Sequence, residues 1–188
     1  EMLRSLVGSE MCIRDREYED AILWLEQAGL VNKVLLSKAP KLPLKAYDDL
    51  GTFKLYTLDL GLLRKLSELD ASILLLPTPA YTEYKGALAE NYILQSLTAQ
   101  FQMPFRYWTS GNKAEVDFLL QYINQIYPIE VKADQNIQGK SLIQYEKLFQ
   151  PACRIRYSML NLKQDGNLLN IPLFLADKTR ELLGVINV

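Results

Sequence analysis

The side chains best equipped for chemistry in this chain are carboxylates and lysines. Glu90 sits in a helical stretch. Its neighbours at one and two turns, Gly86, Ala87, Ile93, Leu94 and Leu97, are all apolar or small. That pattern puts Glu90 in the middle of the face that packs on a sheet. A carboxylate buried there needs a partner; a helix rotated so that Glu90 reaches solvent fits the same residues. Further on, Glu115-Val116-Asp117-Phe118-Leu119-Leu120 reads as a strand with Val116, Phe118 and Leu120 on one face and Asp117 on the other. In Pro128-Ile129-Glu130-Val131-Lys132, Glu130 and Lys132 share a face opposite Ile129 and Val131. Glu-x-Lys alone is equally a solvated surface pair.

Register ties these residues together. A turn centred between Ile123 and Asn124 sets Asp117 opposite Glu130, with Cβ atoms about 5 Å apart. Two like charges so placed destabilise a hairpin unless a cation or a lysine lies between them. Lys132 is one candidate. A divalent cation is another, because hard oxygen ligands on adjacent strands suit Mg2+ or Mn2+. A one-residue slip would break this geometry.

The elements that must hold these groups follow from periodicity. A long helix is expected over Thr82–Gln100. Strands are expected at Phe105–Thr109, Glu115–Gln121 and Ile126–Ala133, with turns at Ser110-Gly111-Asn112 and Tyr122–Gln125. A helix near Lys140–Phe149, a strand at Arg154–Asn161, another at Ile171–Ala176 and a closing helix from Asp177 complete an α-β-β-β-α-β layout with a central mixed sheet. Upstream, Tyr18, Ala21, Ile22, Leu25 and Ala28 mark a helix capped by Gly29. Strands at Leu30–Leu36 and Phe53–Thr57 follow, then a helix N-capped by Asp59 and running through Leu69. This α+β segment, 17–79, resembles a small winged-helix unit, read either as a DNA-binding or as a plain docking module. Pro77-Thr78-Pro79 marks the boundary with segment 80–188.

Composition narrows the chemistry. The 188 residues contain no histidine, which excludes Ser-His-Asp and Cys-His catalysis and His-ligated metals. The two cysteines, Cys12 and Cys153, form neither a disulfide framework nor a thiolate metal site and fit a reducing cytoplasm. Lys plus Arg number 21 against 22 Asp plus Glu, so no basic excess announces a nucleic-acid partner. No run approaches the roughly 18 apolar residues of a membrane span, so no membrane association is expected. Ser5–Arg16 (SLVGSEMCIRDR) resembles a translated sequencing adaptor. On that reading residues 1–16 are an artefact and the natural upstream part is missing; a genuine N-terminal arm is the alternative.

Glu90, Asp117 and Glu130-Val131-Lys132 together resemble the PD-(D/E)xK nuclease superfamily, the restriction-endonuclease-like fold, with Glu115-Val116-Asp117 where its Pro-Asp usually stands. More closely, YEDAILWLEQAGLVNKV, LPLKAYDDLGTFKLYTLDLGLL, YKGALAENYILQSL, YWTSGNKAEVDFLLQ and IYPIEVKA resemble the C-terminal domain of unknown function 4143 of bacterial and archaeal AAA-type ATPases. The resemblance implies an ATPase domain in cis. No G-x-x-x-x-G-K-[ST] occurs here, so no ATP site of that type is expected in this chain. It further implies that Asp117, Glu130 and the Val131 carbonyl bind Mg2+ (or Mn2+), that Glu90 binds the same or a second ion through water, and that Lys132 orients or helps deprotonate the attacking water and stabilises the charged phosphorane. DNA is the implied partner. Tyr145, Ser141, Arg154 and Arg156 are candidates for approaching a phosphate. The alternative is a non-catalytic DNA-binding or regulatory module of the ATPase.

Overall fold

The computed structural model of the protein describes residues 18–68, 79–111, 114–133 and 139–186. The N-terminal stretch 1–16, the end of the expected helix at Leu69, Pro77-Thr78 of the expected boundary and Asn112 of the expected turn lie outside them. The elements run α1 (Glu19–Gln27), β1 (Val31–Ser37), β2 (Asp48–Thr57), α2 (Leu60–Leu66), α3 (Pro79–Phe101), β3 (Arg106–Thr109), β4 (Glu115–Tyr122), β5 (Gln125–Val131), α4 (Lys140–Phe149), β6 (Arg154–Ser158), β7 (Lys163–Asp165), β8 (Leu168–Pro172) and α5 (Thr179–Ile186), with 3-10 turns at Leu44–Tyr47 and Leu173–Lys178.

Local rules account for the boundaries. Gly29 takes φ 71°, which lets the chain leave α1 while the Leu30 N–H bonds back to the Leu25 carbonyl at 2.9 Å. The Asp59 carboxylate accepts from the Leu62 N–H at 2.8 Å and so caps α2. The face expected of α1 is only partly used: Ile22 is buried and Leu25 packs beside it, whereas Tyr18, Ala21 and Ala28 are exposed.

All eight strands form one sheet in the order β2-β1-β3-β4-β5-β6-β8-β7. The two strands of the segment expected to form a winged-helix-like unit are therefore not set apart. β1 pairs parallel with β3, extending the central sheet, and β2 follows antiparallel on the edge. The Arg106 guanidinium clamps the carboxylate of Asp48 with two hydrogen bonds of 2.9 Å, which ties the start of β2 to β3. Pairing is parallel again from β5 through β6 to β8.

The sheet has an apolar layer on each side. On one, Ile93, Leu94 and Leu97 of α3 pack on Phe118, Leu120, Ile129, Ile155, Leu169 and their neighbours. On the other, Leu142 and Tyr145 of α4 pack on Trp108, Val116 and Leu119. The β4–β5 hairpin turns at Ile123 and Asn124, with φ of 44° and 55°. That two-residue turn sets the expected register: Phe118 lies opposite Ile129, Leu119 opposite Pro128 and Leu120 opposite Tyr127.

One expectation about faces fails. Val116 packs on the α4 side, whereas Phe118 and Leu120 pack on the α3 side. The cause is an irregularity in the β3–β4 ladder: Trp108 pairs with Val116 but Arg106 pairs with Leu119, so three steps on β4 answer two on β3. A bulge of this kind breaks the two-residue alternation and re-aims the side chains beside it. Asp117 sits at that bulge.

Candidate functional site

The candidate site is built where α3 packs across β2 and β5. Asn91, fully buried, fixes that crossing. Its Oδ1 accepts from the Thr57 N–H at 2.9 Å, and its amide donates to the Thr57 carbonyl at 3.2 Å. With the helix pinned, Glu90 comes beside Tyr56, whose hydroxyl donates to Glu90 Oε2 at 3.0 Å. Glu90 thus has the partner its place on the packing face requires. Burial raises its pKa above the usual carboxylate range, against the pull of Lys54 and the Tyr56 hydrogen bond. Burial, and then the Glu90 and Asp117 charges, push the Tyr56 hydroxyl well above its ordinary range.

Asp117 follows from the bulge. The β4–β5 pairing ends at Phe118 opposite Ile129, and beyond it the Asp117 carboxylate, not its backbone, meets β5, accepting the Val131 N–H at 2.6 Å. Burial, and then the nearby Glu90 charge, hold the Asp117 carboxyl well above its ordinary range. Lys54 and Lys132 and the Val131 hydrogen bond pull it the other way.

Glu130 is buried, in register with Arg156 on β6, and stands on the other side of β5 from Ile129 and Val131. Its Oε1 pairs with the Lys132 ammonium at 2.9 Å. Its Oε2 is buried with no hydrogen-bond partner among the described residues. Lys132 links the two carboxylate groups. Burial opposes its charge, but Glu130, and then Asp117 and Glu90, keep its pKa above the usual lysine range.

Three further members were not singled out from sequence. Lys54 on β2 is buried, with 2% of its side chain exposed, and pairs with Glu115. Its ammonium lies 4.9 Å from the centre of the Tyr107 ring. Burial works against that charge, yet Glu115, Glu90 and Asp117 hold its pKa above the usual range. Tyr56 and Glu115 complete the set. One signal for them was present: in Phe53-Lys54-Leu55-Tyr56, strand alternation puts Lys54 and Tyr56 on one face, opposite the apolar Phe53 and Leu55.

The phosphate-approach candidates separate from this cluster. Tyr145 is a core residue, edge-on to Trp108 and tilted against Phe149. Arg154 is held by Glu146 at 3.0 Å and by Asn167. Arg156 donates to Asn170 at 2.9 Å. Ser141 is half-buried in the first turn of α4.

The donors suit a hard divalent cation in kind: Asp117, Glu130 with its unpartnered Oε2, the Val131 carbonyl and Glu90. They do not form a closed cage. Among the described residues, no three acidic side chains are gathered tightly enough to hold an ion as they stand.

Residues 85–174 match the family model described as Domain of unknown function (DUF4143). That span holds Glu90, Asp117, Glu130 and Lys132. Residues 2–73 match a second model, Domain of unknown function (DUF8612), which contains Lys54 and Tyr56 and runs through the stretch that resembles an adaptor. No curated protein matches the chain. Among solved structures, protein VC1899 from Vibrio cholerae is similar at 14% identity and a TM-score of 0.35. The likeness covers 98% of this chain and 50% of that one, so the chain spans about half the length of that protein. Among the described residues, no helix is long and apolar enough to cross a membrane.

Proposed function

We propose that the chain is a nuclease-like domain of the PD-(D/E)xK type that hydrolyses DNA phosphodiesters with Mg2+ or Mn2+, working in cis with an AAA-type ATPase domain in the cytoplasm. The observation that carries the reading is the placement of Lys132: its ammonium pairs with buried Glu130 and lies in the field of Asp117 and Glu90. The order α3-β3-β4-β5-α4-β6 supports it, being the connectivity the resemblance implies. Asp117, Glu130 and the Val131 carbonyl would hold the cation, with Glu90 reaching it through water. When bound, the cation would lower the pKa of a water molecule and neutralise phosphate charge. The chain's own part would be to orient that water through the Lys132 ammonium and to oppose the charge that grows on the phosphate.

A second reading is a DNA-binding or regulatory module without hydrolysis. It is favoured by the open arrangement of the carboxylates and by two lysines that already offset part of their charge. Incubating linear, nicked and branched DNA with the full-length chain, Mg2+ or Mn2+, and a chelator control separates the two. Cleavage that the chelator and Lys132→Ala both abolish supports the nuclease. DNA binding with no cleavage under any condition replaces it with the module.

A further inference from the structure

We propose that Lys54 is a positioning residue of the carboxylate cluster: a cation built into strand β2 that holds Glu90, Asp117 and Glu115 at close quarters and competes with a divalent cation for them. The proposal rests on reading the cluster as a cation site.

Lysine is among the residues least often buried without a partner, and a buried ammonium persists only where opposite charge surrounds it. Lys54 meets that condition three ways. It pairs with Glu115, it faces the π-cloud of Tyr107 at 4.9 Å, and the charges of Glu90 and Asp117 reach it. With 2% of its side chain exposed, it is closed to a substrate, so it acts through the carboxylates rather than on a phosphate. Lys132 differs: a third of its side chain is exposed and its direct partner is Glu130. The two lysines therefore divide the work, Lys132 at the open end and Lys54 at the floor.

This gives the N-terminal segment a role. Lys54 lies within the 2–73 match, while Glu90, Asp117 and Glu115 lie within the 85–174 match. Lys54 offsets the charge of those carboxylates only when both are present, and the Asn91–Thr57 hydrogen bonds hold them in place. An ammonium amid three carboxylates also lowers the negative potential that attracts a divalent ion.

The test uses the full chain and Mn2+ as probe, read by calorimetric titration and by thermal melting. In chelator, Lys54→Met leaves three half-buried carboxylates without their common cation and should lower the melting temperature by about 10 °C. Mn2+ should then bind Lys54→Met about 10-fold tighter than wild type and restore more of its stability. Lys54→Arg, which keeps the charge, should bind Mn2+ like wild type. Should Lys54→Met fail to fold, Lys54→Met with Glu115→Gln removes the whole ion pair, and it should bind Mn2+ tighter than Glu115→Gln alone. Mn2+ affinity unchanged or weakened by Lys54→Met in either background overturns the proposal and leaves Lys54 a structural ion pair. If Lys54→Met tightens Mn2+ but the wild type cleaves no DNA, Lys54 keeps its role and the nuclease reading goes. If no variant binds Mn2+, both go.

Discussion

Two polar clusters sit on this sheet, and they are satisfied in opposite ways. Around Asn170 on β8 every group has a fixed answer. Asn170 Oδ1 accepts from Arg156 and from the Ser158 hydroxyl, and its amide donates to the carbonyls of Leu160 and Asn161. One strand over, Arg154 is spent on Glu146 and Asn167. Each of these bonds joins fixed protein partners. Around Lys54 and Lys132, four carboxylates share two ammonium groups, Asp117 and Glu90 are both raised by burial, and Glu130 keeps a buried oxygen without a partner. The first cluster is built for stability. The second keeps several charged groups within one another's field, which is the ground on which we propose it as a site.

The contrast breaks most sharply on activity. If the chain cleaves DNA, Lys132→Ala and Asp117→Ala should each lower the rate by at least about 100-fold, measured with labelled duplex and Mg2+. Asn170→Ala should leave the rate per folded molecule unchanged. On stability the order reverses. Asn170→Ala strips the Arg156 and Ser158 donors of their acceptor and should cost about 2–4 kcal/mol in denaturant melts, with no response to divalent cations. Lys132→Ala leaves Glu130 buried without its cation and should cost about 1–3 kcal/mol in the cation-free protein.

Asp117→Asn keeps an acceptor for the Val131 N–H and removes a charge that burial and Glu90 oppose, so the cation-free protein should gain about 1 kcal/mol at neutral pH. The same shift fixes a pH dependence. Asp117 and Glu90 are raised in the folded chain, so between the unfolded carboxyl range and their folded values the native state binds more protons. Stability of the cation-free wild type should therefore rise as pH falls from neutral toward about 4–5, and Asp117→Asn should flatten that slope. The smallest effect belongs to an ion pair outside both clusters: Lys163 and Asp165 are mostly exposed, and Lys163→Ala should change stability by under about 0.5 kcal/mol.

How much of this was legible in the sequence depended on how local its cause was. The β4–β5 register was readable because a two-residue turn at Ile123-Asn124 fixes it from within. The helix 140–149 and the Asp59 cap were readable for the same reason. The parity of Val116 and Phe118 was not, because the bulge arises from pairing with β3 and nothing in the 115–120 run marks it. The joining of β1 and β2 to the sheet depended on a parallel pairing with β3 some 70 positions away. Lys54 stayed hidden for that reason: its partner Glu115 is 61 positions distant, and only the finished sheet brings them together. Glu90 was the reverse case. Its apolar neighbours fitted either a packed carboxylate or one turned to solvent, and in the structure it is half-buried with Tyr56 as its partner.

The central proposal is that Asp117, Glu130 and Glu90, all within the field of Lys132, take up a divalent cation. Calorimetric titration of Mn2+ into the wild-type chain and into Asp117→Ala tests it most directly. We predict saturable binding to the wild type, accompanied by a rise in melting temperature of several degrees, and loss of both in Asp117→Ala. Equal heats in the two proteins, with melting temperatures that Mn2+ leaves unmoved, would contradict it.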